Sequence, residues 1–151
     1  MLQEKSINKD MSNLQRSAGI IFVFDNKILL CHSTNSKWYG FYMPPKGHIE
    51  ENETEEQAAI RETSEEIGIS IDESLLGKKH SIKYLRGGRV FKEVAIFECH
   101  VNSLEELGLN SEILPKDQLQ LEEIDDARFM NKEEASVRIF HRYSELLELI
   151  D

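Results

Sequence analysis

The segment that decides the fold is residues 47–69, GHIEENETEEQAAIRETSEEIGI. Within it, Thr54 and the three residues that follow, Glu-Glu-Gln, have the capping-box pattern that begins a helix. Gly68 is suited to end one, because glycine adopts the left-handed conformation at a helix C-terminus. The pattern therefore predicts a helix over residues 54–67. At 100° per residue, one arc of it can face a sheet. That arc consists of Ala59, Ile60, Thr63 and Ile67.

A second arc of the same helix, about 140° wide, is charged. It contains Arg61, Glu62, Glu65 and Glu66. Like charges three and four residues apart repel each other, and a solvated helix face usually alternates the two signs. A hard divalent cation with oxygen ligands would supply the missing positive charge. From the helix alone, an ordinary solvated acidic face remains the alternative to a cation site.

The composition limits the class of protein. The chain has 151 residues and a formal net charge of −10, which argues against a protein that grips a nucleic-acid backbone broadly. We expect no membrane span, because no long apolar run is present. The two cysteines lack metal-type spacing and are expected to be reduced thiols in a cytoplasmic protein. Residues 1–15 are expected to be a flexible lead-in, and residues 16–151 a single domain.

The rest of the chain mixes strand and helix signals without strict alternation, which indicates an α+β (mixed α/β) class. Apolar β-branched runs predict strands, and the Asp25-Asn26 and Gly87-Gly88 pairs predict hairpin turns. Residues 102–119 are irregular and acidic, and the sequence leaves open whether they form a substrate lid or an inert loop. Strands are predicted at 17–24, 27–32, 80–85, 90–101 and 121–130, and two further helices at 131–137 and 140–150.

Residues 47–69 resemble the Nudix box, G-x5-E-x7-R-E-U-x-E-E-x-G-U, in which U is aliphatic. All seven fixed positions match, and Ile69 fits the second U, whereas Thr63 stands at the first. A chance match in a chain of this length is on the order of one in 10⁵. The resemblance implies an α/β/α sandwich with a mixed sheet, in which the box forms a loop, a helix and a loop. It also implies cleavage of a pyrophosphate linkage with Mg²⁺ or Mn²⁺ as cofactor.

The resemblance further implies roles for individual residues. Arg61 would orient a box glutamate through a charge-assisted hydrogen bond. The base that activates water would be Glu62 or a glutamate outside the box, with Glu123 and its neighbour Glu122 as candidates; a merely charged strand entry is the alternative for that pair. The implied metal ligands are Glu62, Glu65, Glu66, Glu53 through water, and the backbone carbonyl of Lys46. The predicted catalytic set is Glu62, Arg61, Glu66 and Glu123.

The substrate signal comes from two further segments. The run Pro-Pro-Lys-Gly-His at 44–48 and the run Phe-Lys-Glu-Val at 91–94 resemble the diadenosine tetraphosphate hydrolase branch of the family. This chain departs from that branch in having Tyr42 where a tryptophan is common, and Asn52 where a glycine is common. The predicted phosphate contacts are Lys46, Lys92, Arg89 and Arg86, and the predicted base-stacking residues are Tyr42, Tyr84 and Trp38.

These observations leave several functions open. The first is a hydrolase that splits a dinucleoside polyphosphate such as diadenosine tetraphosphate into ATP and AMP. The second is a nucleoside triphosphate or nucleotide-sugar pyrophosphohydrolase, because the box binds the diphosphate and other loops recognise the remainder of the substrate. The third is a non-catalytic nucleotide sensor, which the retained box glutamates disfavour. The expected partner is a small-molecule nucleotide, with no extended nucleic acid and no membrane, and the expected assembly is a monomer or homodimer.

Overall fold

The structure is a computed structural model that describes residues 14–34, 36 and 41–150. Trp38 and nearly all of the predicted lead-in lie outside the described residues. The strands are β1 Gln15–Phe24, β2 Lys27–Ser33, β3 Tyr42–Met43, β4 Lys46–His48, β5 Lys79–Arg86, β6 Arg89–His100 and β7 Ile124–Asn131. The helices are α1 Glu55–Ile67, α2 Lys132–Arg138 and α3 Leu146–Leu149. Single 3₁₀ turns occur at Glu73–Leu75, Leu104–Leu107, Lys116–Gln118 and His141–Tyr143.

The seven strands form one mixed sheet in the order β3-β2-β1-β6-β5, in which β4 pairs with β1 and β7 with β2. Strand β1 pairs in parallel with β6 along its length. On its other side, β1 pairs with β4 over residues 17–19 and with β2 only at Val23 and Phe24. The sheet therefore changes partners along β1, and this change brings β4 and the loop before α1 to the middle of the sheet. The predicted α+β class is confirmed.

Apolar side chains form two clusters, one on each face of the sheet. Helix α1 packs on the first cluster through Ala58, Ala59 and Ile67, all fully buried. The second cluster takes Tyr143 and Leu146 from the C-terminal segment. The segment that the sequence left open as lid or loop belongs to the first cluster. It contributes Leu107, Leu109, Leu114 and Leu119, all buried.

Helix α1 begins and ends where the sequence predicts. The backbone N–H of Gln57 donates to the Thr54 hydroxyl at 3.1 Å, and the backbone N–H of Thr54 donates to the Gln57 side chain at 3.0 Å. Gly68 has a φ of 68°, and its N–H donates to the Ser64 carbonyl. This left-handed conformation is strained for other residues, so glycine is favoured here. Strong local caps therefore fix the register of the helix.

The predicted helix over 140–150 was wrong, because the structure has a 3₁₀ turn at His141–Tyr143 and a short helix, Leu146–Leu149. Within this segment Tyr143, Leu146 and Ile150 are buried, and Phe140 and Leu147 are partly buried. The backbone N–H of Phe140 donates to the Tyr42 carbonyl at 2.8 Å, which ties the start of this segment to β3. The C-terminal segment is thus attached to β3 at the residue that precedes the 3₁₀ turn.

Candidate active site

A cavity of about 350 Å³ opens where α1, β4, β6 and the start of β7 meet. Its walls carry acidic side chains from α1 and basic side chains from β4 and β6. The chemically active groups that line it are Lys46, Glu62, Glu66, Lys92 and Glu123, together with Ser17, Ser33 and His48. The structure therefore brings five of the predicted site residues to one cavity, although they are spread over 78 positions of the sequence, from Lys46 to Glu123.

Gly47 is needed because Glu62 lies directly on its backbone. A Cβ atom added at Gly47 would stand 2.0 Å from the Glu62 carboxyl carbon, too close for any two atoms that are not bonded. The absence of a side chain at Gly47 thus lets the carboxylate of α1 approach β4. This close approach sets the depth at which Glu62 enters the cavity.

Arg61 organises the acidic loop and helix. Its guanidinium donates two hydrogen bonds to Glu53, at 2.7 and 3.0 Å, and single ones to Glu62 at 2.9 Å and Glu65 at 3.2 Å. A fifth hydrogen bond, at 2.9 Å, reaches the His48 carbonyl. The bonds from Arg61 hold the pKa of Glu53 below its ordinary value. One arginine therefore holds three carboxylates and the loop that precedes the helix, and its predicted role in orienting a box glutamate for catalysis stays a prediction.

Glu66 is a buried carboxyl that faces other carboxyls. Its side chain accepts a hydrogen bond of 3.0 Å from the backbone N–H of Lys46. Burial raises the pKa of Glu66 to about 8; the charges of Glu62 and Glu123 also raise it, whereas the contacts with Lys46 lower it. Such a group is mostly protonated at neutral pH, and a positive charge brought to it would favour the ionised form.

Two lysines face these carboxylates. Burial lowers the pKa of Lys46, and burial together with the neighbouring Lys46 ammonium lowers the pKa of Lys92 to about 8. Among the described residues, neither lysine is in an ion pair with a carboxylate. The cavity thus offers an acidic wall and a basic wall. A ligand with phosphate oxygens can contact the basic wall directly and the acidic wall through a cation.

The donor atoms fit a hard divalent cation. Glu62, Glu66 and Glu123 all line the cavity and offer oxygen only, the ligand type that Mg²⁺ and Mn²⁺ prefer. Within the described part of the chain, no three acidic, histidine or cysteine side chains converge as a complete metal site. Magnesium is commonly held by one or two carboxylates plus water and substrate phosphates, so this partial set suits it.

The predicted ligands Glu53 and Glu65 occupy a different position. Both oxygens of Glu53 receive hydrogen bonds from Arg61. The Glu65 side chain is 54% exposed, also accepts from Arg61, and does not line the cavity. Their place in the metal shell stays a prediction, and any contact with a cation has to compete with the arginine.

The remaining predicted substrate residues lie outside this cavity. The Tyr42 hydroxyl donates to Asp126 at 2.6 Å, and this tyrosine lines a separate cavity of about 510 Å³. The Tyr84 hydroxyl donates to Tyr143 at 2.6 Å, and its ring contacts cationic side chains. Arg89 is exposed in the β5–β6 turn region. Base stacking by Tyr42 or Tyr84 stays a prediction that their existing contacts do not favour.

Some site residues were missed from the sequence. Ser17 and Ser33 line the cavity, and Ser17 is almost fully buried. The available signal was a serine at the head of an otherwise apolar strand, where a buried hydroxyl needs a polar neighbour. Of the two glutamates proposed near β7, Glu123 lines the cavity and Glu122 does not.

The fold and the site together define a class: an α+β domain whose capped helix presents carboxylates to a lysine-lined cavity. The family model for the NUDIX domain matches residues 13–149, and the chain belongs to that family. A relative, the 8-oxo-dGTP diphosphatase of Proteus vulgaris, is 38% identical over 68 residues, which are 44% of this chain and 61% of that protein. The chain thus aligns with about three fifths of the length of this curated relative.

Solved structures share the fold. A C. elegans Ap4A hydrolase binary complex superposes with a TM-score of 0.62 and 24% identity, over 89% of this chain and 93% of that one. The MutT NUDIX hydrolase from Burkholderia pseudomallei superposes with a TM-score of 0.71 and 19% identity, over 91% of this chain and 98% of that one. At these identities the likeness establishes the fold alone. Among the described residues, no helix is long and apolar enough to cross a membrane.

Proposed function

We propose that this protein is a metal-dependent hydrolase that cleaves a pyrophosphate linkage in a nucleoside-diphosphate-linked substrate. One observation carries the proposal: the cavity places Glu62 and Glu66 opposite Lys46 and Lys92. Nudix hydrolases generally use divalent cations and act on small-molecule nucleotides. The acidic wall suits the cation, and the basic wall suits the phosphate chain.

The chain's own residues then have distinct tasks. Lys46 and Lys92 bind non-bridging phosphate oxygens and place the diphosphate over the acidic wall. Arg61 holds Glu62 in place through its hydrogen bond of 2.9 Å. Glu62 and Glu66 would hold a divalent cation, which would supply positive charge against the negative charge that develops on the phosphate during the reaction.

The reaction is substitution by water at phosphorus. A new bond forms between the water oxygen and phosphorus, the bond to the bridging oxygen breaks, and a carboxylate accepts the proton of the water. We assign this base to Glu123, with Glu62 as the alternative. One oxygen of Glu62 already accepts a hydrogen bond of 2.9 Å from Arg61, which leaves this side chain less free to contact the attacking water. Glu123 lies on the cavity wall, and no ion pair with an arginine or lysine is found for it among the described residues.

For the substrate, we propose a dinucleoside polyphosphate such as diadenosine tetraphosphate, cleaved to ATP and AMP. The Pro-Pro-Lys-Gly-His run and the lysine of β6 support this choice, because they bring the side chains of Lys46 and Lys92 to the cavity, where both can contact the phosphate chain. A nucleoside triphosphate is the second candidate. It is favoured by the similarity to a protein named 8-oxo-dGTP diphosphatase.

The deciding experiment is metal-dependent turnover of a substrate panel. Diadenosine tetraphosphate, the nucleoside triphosphates including 8-oxo-dGTP, and nucleotide sugars are each incubated with the protein in Mg²⁺, in Mn²⁺ and in EDTA. We expect ATP and AMP from diadenosine tetraphosphate at the highest kcat/KM, and no products in EDTA. A higher kcat/KM for a nucleoside triphosphate would make that triphosphate, rather than diadenosine tetraphosphate, the preferred substrate. Tight nucleotide binding without turnover in either metal would contradict the hydrolase proposal.

A further inference from the structure

A strip of cations and aromatic rings continues from the cavity along the β5–β6 hairpin. The Lys92 ammonium lies 5.1 Å from the centre of the Tyr84 ring, and the Arg142 guanidinium lies 4.5 Å from the same ring. Arg142 is also 5.9 Å from the centre of the Phe91 ring, on which Arg86 lies at 4.3 Å. Each group therefore contacts the next, from Lys92 in the cavity to Arg86 at the hairpin turn.

In the described part of the chain, the cations of this strip contact aromatic rings and have no acidic partner within ion-pair distance. Among the described residues, none of Lys92, Arg142 and Arg86 forms an ion pair. The chain has 28 acidic residues and only 18 lysines and arginines, so carboxylates are abundant. Cations that contact rings in such a chain leave their charge available to an external anion.

The rings also orient the guanidinium groups. An arginine stacked on an aromatic face has its planar fork fixed, and its N–H edge points along the surface of the ring. The Tyr84 hydroxyl donates to the buried Tyr143 at 2.6 Å, which anchors that ring in the core. A fixed fork loses little conformational freedom when it binds phosphate oxygens, and it can do so through two parallel hydrogen bonds.

We propose that Arg142 and Arg86 bind the part of a polyphosphate chain that extends beyond the diphosphate held at Lys46 and Lys92. This inference rests on the proposed function and deepens it. It makes chain length a determinant of specificity, because a substrate with only two phosphates does not reach the arginines. Substrates with three or more phosphates gain the additional contacts.

The test uses diadenosine compounds with two to five phosphates, so that both nucleosides stay constant while the chain lengthens. In Arg142→Gln we expect KM for the tetraphosphate and pentaphosphate to rise about tenfold, and KM for the diphosphate to change less than about twofold. Arg86→Gln should have the same direction and a smaller effect. Lys83→Gln is the matched control, since Lys83 lies on the same strand, is exposed and carries the same charge outside the strip.

Arg86 is exposed, so its variant tests the strip even if Arg142→Gln folds poorly. A binding measurement keeps the test independent of turnover. In Mg²⁺, the wild-type protein should bind inorganic tripolyphosphate more tightly than pyrophosphate, and both arginine variants should lose that difference. If the protein showed this pattern of binding but hydrolysed none of the substrates, the proposed function would be refuted, whereas the inference that Arg142 and Arg86 bind phosphate would be retained.

Two results would overturn the inference. The first is an equal effect of the arginine variants on all chain lengths, or no effect beyond that of Lys83→Gln. The second is weaker binding of every diadenosine compound with unchanged tripolyphosphate binding, which would make the strip a platform for the base.

Discussion

Replacing Glu66 by glutamine should stabilise the protein at alkaline pH while it abolishes turnover. The glutamine carbonyl can still accept the 3.0 Å hydrogen bond from the backbone N–H of Lys46, so the change removes a charge and little else. Burial raises the pKa of Glu66 to about 8, from an ordinary value of 4.5. A carboxyl whose folded pKa is raised favours folding at low pH, and this contribution is lost as pH rises from 4.5 to 8.

The magnitude follows from the size of this shift. Each unit of pKa difference corresponds to about 1.4 kcal/mol, so ionised Glu66 costs about 5 kcal/mol of unfolding free energy above pH 8. At pH 4.5 the carboxyl is protonated in the folded state and half protonated in the unfolded state, so almost none of this cost is present. Glu66→Gln should therefore match the wild type near pH 4.5 and exceed its unfolding free energy by several kcal/mol at pH 9.

The assay is urea denaturation of both proteins in EDTA between pH 4.5 and 9. Glu65→Gln is the control, because the Glu65 side chain is 54% exposed and its loss should give no gain that grows with pH. Added Mg²⁺ should narrow the gap at pH 9, since a cation that binds the folded wild type stabilises it. A difference between Glu66→Gln and wild type that is constant with pH, or a glutamine variant that is less stable at pH 9, would refute the reasoning.

Three further variants test the site. Gly47→Ala should lower kcat at least about a hundredfold in the turnover assay with diadenosine tetraphosphate and Mg²⁺. The added Cβ atom would lie 2.0 Å from the Glu62 carboxyl carbon and would therefore displace that side chain; activity near wild type would contradict this. Glu53→Gln should lower kcat about tenfold and leave the circular dichroism spectrum unchanged, since Arg61 keeps its bonds to the other carboxylates. Tyr42→Phe should lower the urea-derived unfolding free energy by about 1–2 kcal/mol through loss of its 2.6 Å hydrogen bond. Its KM for the nucleotide should not change, whereas a large rise in KM would return Tyr42 to the substrate site.

Local signals in the sequence were sufficient for the box helix. The Thr54 cap and the Gly68 stop each act through neighbouring residues, so the start and the end of α1 were predictable. Its inward face was predicted correctly at Ala59, Thr63 and Ile67, but burial of Ala58 and Glu66 was not predicted. The same holds for the turn after β1, where Asp25 and Asn26 adopt φ values of 50° and 60° that suit a tight hairpin. Short-range chemistry decided these elements, and the tertiary structure left them unchanged.

Long-range pairing decided what the sequence did not show. Lys92 reaches Lys46 because β6 runs parallel to β1 while β4 pairs with the other edge of β1. No spacing within the chain encodes that arrangement, and only the resemblance to the family suggested Lys92. In the sequence, Tyr42 and Tyr84 were both candidates for stacking on a base. In the structure, the Tyr42 hydroxyl donates to Asp126 of β7 and the Tyr84 hydroxyl donates to Tyr143 of the C-terminal segment.

Acidic and basic side chains line the same cavity, although an ion pair between them would reduce the cost of burying their charges. Lys46 lies close enough to Glu66 to lower its pKa, yet among the described residues the two side chains form no ion pair. Glu66 is buried and Lys46 is partly buried, so each costs free energy when it is charged without a partner. A protein retains such an arrangement where binding supplies the partners: a cation for the carboxylates and phosphate oxygens for the lysines. Ionised Glu66 therefore lowers the unfolding free energy of the protein at alkaline pH for the same reason that it can bind a cation: it is a buried carboxylate without a positively charged partner. Glu66→Gln should remove both effects.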